Sequence, residues 1–183
     1  MEVLIAMGVM AIGLVALAQL FAISTTANHA SKTTTFATML AQQKMEQLRG
    51  LTWGFDTVGL PISDLSTNIS VVPQPAGCPA PSNAGQGSGL SPSPGGTLGG
   101  NVAGWVDYLD INGCLLGGGG AIPNRTIYIR RWSVEPLPTN PNNTIILQVL
   151  VTRRRDRSTA DAGSVARLPE EARLITVKTR KAQ

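Results

Sequence analysis

Histidine is nearly absent from this 183-residue chain, which has only His29, and cysteine is limited to Cys78 and Cys114. These side chains cannot make an ordinary structural zinc site. With one imidazole and acids scattered through loop-like text, no nucleophile and base can be paired. Aromatic residues make up 4% of the chain, too few for a stacked path of electron conduction. The glycine run at 117–120 lacks the Lys-Ser/Thr of a phosphate-binding loop and reads as a flexible turn. Neither enzymatic activity nor a cofactor or metal is expected.

Basic residues are missing ahead of the first apolar run, and proline is missing before Pro61. A secretory signal has a basic start and an apolar stretch of about 7 to 15 residues. Here residues 3–23 contain Gln19 as their sole polar side chain, with Gly8 and Gly13 among the small residues. At about 1.5 Å per residue that run reaches roughly 30 Å, the hydrocarbon thickness of a bilayer. Nothing breaks the helix afterwards. STTANHASKTTTFATMLAQQKMEQLR, residues 24–49, places Ala27, Ala30, Ala37, Ala41, Met45 and Leu48 on one apolar stripe, and Gly50 stands behind Arg49 as a stop. We expect one helix of nearly 50 residues, about 75 Å long. Its first half wants apolar surroundings on every side and its second half a partner on one face.

Lysine and arginine are also missing from residues 51–123, which carry Asp56, Asp64, Asp107 and Asp110. Within this segment, Pro, Gly and Ser dominate residues 73–101, so a long surface loop with little regular structure is expected. Trp53, Trp105 and a bond between Cys78 and Cys114 would pin that loop to a core. Such a disulfide, spanning 36 positions, would contribute roughly 3 to 4 kcal/mol and implies an oxidising compartment; two separate thiols are the alternative. NVAGWVDYLDINGCLL reads as a short hairpin turning at Asn112-Gly113. Asp107, Asp110 and Asn112 fit a calcium loop poorly, since alignment on Gly113 puts Tyr108 where the first Asp belongs; a solvated turn is the reading adopted. RTIYIRRWSV (125–134), TIILQVLVTR (144–153) and ARLITVKTR (172–180) have the β-branched and aromatic content of strands. Three antiparallel strands across the second half of the helix make an α+β fold.

EVLIAMGVMAIGLVAL, followed by an amphipathic extension ending LAQQKMEQLRGL, resembles the N-terminal helix of type IV pilins and of the related type II secretion pseudopilins, the minor pilins especially. The resemblance covers roughly residues 1–51, and its diagnostic feature is Glu2 at the tip of an apolar run. It implies a pilin-like architecture: residues 1–23 as membrane and filament-core helix, 24–50 as the amphipathic half, 51–123 as the loop-rich part of a head, and 124–183 as its antiparallel sheet. It also implies a basic leader cut by a prepilin peptidase, N-methylation of the new terminus, residence in the inner membrane, and export by the pilus assembly machinery into a cell-surface polymer of like subunits. Mature chains of the family carry a few residues before the glutamate. Either such residues precede this sequence, the reading adopted, or the mature chain starts at Met1.

A lone carboxylate in hydrocarbon costs several kcal/mol unless it stays at the interface or is paired. Glu2 can remain near headgroups before assembly, and in a bundle of like helices it is expected to meet a neighbour's N-terminal ammonium; it also complements its own helix dipole. Gly8 and Gly13 let neighbouring helices approach closely, and any local unwinding on assembly is expected at Gly13. The alternatives are a minor pilin or pseudopilin at a tip or in a periplasmic piston, and a membrane-anchored binding protein that never assembles.

The net charge of +4 belongs to residues 124–183, which hold twelve of the fifteen basic side chains against five acids. Arg153-Arg154-Arg155 and Lys178, Arg180 and Lys181 are interleaved with few aromatics, Tyr128 and Trp132, so nucleic acid is not expected as a partner. They read as a solvated face, or as a complement to residues 51–123 of a neighbouring subunit. The tripeptides Asn68-Ile69-Ser70, Asn124-Arg125-Thr126 and Asn142-Asn143-Thr144 offer candidate glycosylation acceptors, taken as Asn68, Asn124 and Asn143.

Overall fold

One α-helix, α1 (Glu2–Gly50), runs without interruption through both halves of the N-terminal segment in the computed structural model, which describes residues 2–65, 76–79, 87–119, 121–154 and 171–181. The Thr-rich stretch does not break it. The hydroxyls of Thr33, Thr34, Thr35 and Thr38 each donate to the carbonyl four residues back, so these β-branched side chains bond within the helix.

The strands in the rest of the described chain pair antiparallel in two sheets joined by turns and loops. β1 (Trp53–Phe55) pairs with β2 (Pro61–Ser63) in a small hairpin. β3 (Val106–Leu109), β4 (Leu115–Gly117), β5 (Tyr128–Pro136), β6 (Thr144–Arg153) and β7 (Ala172–Thr179) form one sheet in the order β4-β3-β5-β6-β7. The fold is α+β, as expected. The expected hairpin is β3–β4, and it joins the three anticipated strands in a single five-stranded sheet. The β1–β2 hairpin was not anticipated, because a three-residue strand offers too little alternation to detect.

α1 packs across β6 and β7. Ile145, Leu147, Val149 and Val151 recur at every second position of β6 and meet Ala37, Leu40, Ala41, Met45 and Leu48 in the core. Trp132 and Val134 of β5 lie beside Val149 and Leu147 in register and complete it. The buried stripe begins lower on the helix than the alanine pattern indicated. Ala27 is exposed and Ala30 half-buried, whereas Thr33, Leu40 and Lys44 are buried.

The expected loop at 73–101 is described only at 76–79 and 87–101, and there it is more tightly held than its composition suggested. Leu90 and Trp105 are buried, Ser93 N–H donates to Val134 O, and Arg131 donates to Gly100 O and to the Asn101 side chain. Cys78 and Cys114 form a disulfide that ties residues 76–79 to the β3–β4 hairpin. The glycine run is not a free turn over its described part: Gly117 ends β4, and a Cβ on Gly118 would stand 2.8 Å from Val106 O.

Candidate assembly surface

From residue 2 to residue 29 every side chain of α1 is exposed. Thirteen large apolar side chains between Val3 and Ile23 are each 53–73% open to solvent. Full burial of such a side chain is worth about 1.5–3 kcal/mol, so this surface leaves on the order of 20 kcal/mol of hydrophobic free energy unused. That exceeds the typical net stability of about 5–15 kcal/mol for a whole domain. By length and composition, α1 is apolar enough to cross a membrane. An apolar surface of this extent marks a membrane or protein contact.

The second half of the helix is anchored by a buried charge cluster. Lys44 of α1 donates to Asp107 Oδ2 of β3 at 2.9 Å, and Arg130 of β5 donates to the same oxygen from Nη2 at 2.8 Å and Nε at 3.1 Å. Arg130 Nη1 also reaches Leu40 O and Gln43 Oε1, each at 3.1 Å, so one guanidinium grips the helix backbone and the sheet. The Lys44 ammonium lies 3.7 Å from the centroid of the Trp132 ring. Burial, with Arg130 adding to it, lowers the Lys44 pKa to about 8 against the pull of Asp107. Burial alone would raise the Asp107 pKa, but Lys44 and Arg130 outweigh it and hold the carboxyl below its usual range. These groups lie far apart in sequence, and no local motif announces them. A periodic signal existed for Lys44, which stands four residues after Leu40 and four before Leu48 on the buried face.

The C-terminal end of α1 is capped from β7. Lys178 Nζ donates to the carbonyls of Leu48, Arg49 and Leu51, satisfying acceptors that a helix end leaves open. Arg180 stacks over Trp53 at 3.7 Å and donates to Gly54 O and Ile62 O. The basic residues are therefore not simply a solvated face. Arg130 and Arg131 are buried, and Lys178 and Arg180 make intramolecular bonds, because the backbone carbonyls around them need donors. Arg153 is half-buried and Arg154 exposed; Arg155 lies outside the described residues.

Glu2 occupies the first turn of α1, exposed and remote from the head. Gly8 and Gly13 face open space, since a Cβ added at either would meet nothing within 4 Å, and the helix stays regular through Gly13. Of Asp107, Asp110 and Asn112, only Asn112 lies exposed in the turn as expected; the two aspartates are buried. Asp107 is consumed by the ion cluster, and Asp110 is buried with its Oδ1 accepting from the N–H groups of Asn112 and Cys114. The carboxylates are held by donors the fold supplies, which the spacing could not reveal. Asn124 and Asn143 are exposed, while Asn68 lies outside the described residues. In Asn142-Asn143-Thr144 the acceptor by the Asn-x-Thr rule is the exposed Asn142, which corrects the choice of Asn143.

Comparisons with family models, curated proteins and solved structures return no match for this chain. A long apolar N-terminal helix carried on a small antiparallel sheet is compatible with a pilin-like fold.

Proposed function

We propose that this chain is a structural subunit of a type IV pilus-like filament, held in a membrane by α1 before assembly and polymerised through the same helix afterwards. The observation that carries this reading is the continuity of α1. Its apolar half is exposed on all sides, and its other half is locked to the sheet by buried side chains and an ion cluster. A helix that merely anchored a head would not need rigid coupling to it, whereas a polymerising helix must set the position of the head it carries.

Within the polymer, Glu2 pairs with the N-terminal ammonium of an axially displaced neighbour, so both charges are neutralised among apolar side chains. Replacing Glu2→Ala is expected to reduce filament yield more than ten-fold, measured as sheared, pelletable polymer and by electron microscopy, while the chain still accumulates in the membrane. Undiminished yield from this variant removes the pairing role. Wild-type chain that stays monomeric in the membrane after shear overturns the filament reading and favours a non-assembling anchored protein.

A further inference from the structure

Two features of the head remain unexplained by the helix. The first is the tip of the β1–β2 hairpin. Asp56 Oδ1 accepts from the N–H groups of Val58 at 2.9 Å and Leu60 at 2.7 Å, Asp56 N–H donates to Leu60 O at 2.8 Å, and Gly59 supplies a left-handed turn with φ of 82°. This bonded turn displays apolar residues outwards: Val58 is 81% exposed and Leu60 62%. An ordered loop that presents apolar side chains to water is a preorganised contact, because little conformational entropy remains to be lost on docking.

The second feature is a groove of about 840 Å³ between the C-terminal end of α1, the base of the same hairpin and β7. Trp53, Phe55, Ile62 and Val177 form its apolar wall, with Arg49 and Lys181 beside them. Arg180 holds that wall by stacking on Trp53 and bonding to Gly54 O and Ile62 O. Val58 and Leu60 do not line this groove, and their exposure shows that the tip does not fill the groove of its own chain.

We infer that the hairpin tip of one copy docks in this groove of the next copy, a head-to-tail contact that rests on the self-assembly reading above. Charge is complementary. The hairpin tip carries Asp56 and no base, whereas the groove presents Lys178 and Lys181 beside an Arg49–Glu46 ion pair; Asp64 stands at the groove's own edge, where its carboxylate accepts from Thr52 N–H. The two surfaces differ, so the contact is heterologous and repeats from copy to copy, as a helical polymer requires. The helices then provide the apolar core of the assembly, and this contact sets the spacing and rotation of the heads.

The test uses the full chain in membranes, with Val58→Cys and Val177→Cys combined and each alone, under mild oxidation. The double variant is expected to give a ladder of dimers, trimers and higher species on non-reducing gels, and neither single variant a ladder. Filament yield of the wild-type chain is measured in parallel. Wild-type filaments without a ladder overturn the docking contact and leave the filament reading standing. A ladder without filaments keeps the contact and overturns the filament; absence of both overturns both. Val58→Lys, at an exposed position outside the core, removes the apolar contact and sets a cation against the cationic groove, and is expected to lower pelletable polymer about ten-fold; polymer at the wild-type level counts against the contact.

Discussion

Residues 2–29 and 33–48 belong to one continuous helix, yet they live by different physics. The upper part is exposed along its whole length, and its apolar side chains wait for an environment that the chain itself does not supply. The lower part is partnered on one face: apolar side chains against β6, Lys44 and the Leu40 carbonyl against the charge cluster, and the last carbonyls against Lys178. Helix formation is therefore not what separates them. Tertiary burial is, and mutations in the two parts should report on different processes, intersubunit or membrane contact above and folding of the head below.

The sharpest break of this comparison is Asp107→Ala. It leaves Lys44 and Arg130 facing one another in a buried site, and removing one partner of a buried ion cluster typically costs about 3–5 kcal/mol. Denaturant unfolding of the head, followed in detergent, should show that loss. A wild-type midpoint would mean that water or a rearranged partner replaces the carboxylate.

A paired substitution sharpens the contrast further. Leu48→Ala, at a fully buried position, should cost the head about 3 kcal/mol, whereas Leu14→Ala, 58% exposed, should leave its unfolding midpoint unchanged and instead lower filament yield. Equal effects of both on head unfolding would show that the helix folds as one cooperative unit with the head.

The smallest effect expected is a pH dependence. Lys44 has a folded-state pKa of about 8, below its ordinary 10.5, so the unfolded chain binds more protons between those values. Stability from this group accordingly rises as pH increases from about 8 to 10.5, by on the order of 2–3 kcal/mol. Lys178, also lowered by burial, acts in the same direction, so the contribution of Lys44 is read as the difference between wild type and Lys44→Met. Parallel pH profiles for the two proteins would show that Lys44 titrates as it does in water.

Much of the architecture was legible from local pattern. The helix to Gly50, the strand at 144–153, the turn at Asn112-Gly113 and the Cys78–Cys114 bond each follow from periodicity, turn chemistry or residue count. The anchor of the candidate surface was not. Asp107 read as a turn acid because its two cationic partners lie 63 and 23 positions away, and charge alone does not say whether it meets water or a partner. The alanine stripe pointed to contacts at Ala27 and Ala30, where the sheet no longer reaches.

The order of residues alone decides that residues 3–23 cannot rest in water and that a helix carries them into a head, since hydrophobicity and helical period are properties of consecutive side chains. Only the folded chain decides which charges are buried, which basic side chains cap carbonyls, and that a rigid apolar hairpin tip and a cationic groove coexist on one head. Those outcomes depend on contacts between residues far apart in sequence, whose pairing is set by the register of the sheet and the placement of the helix across it.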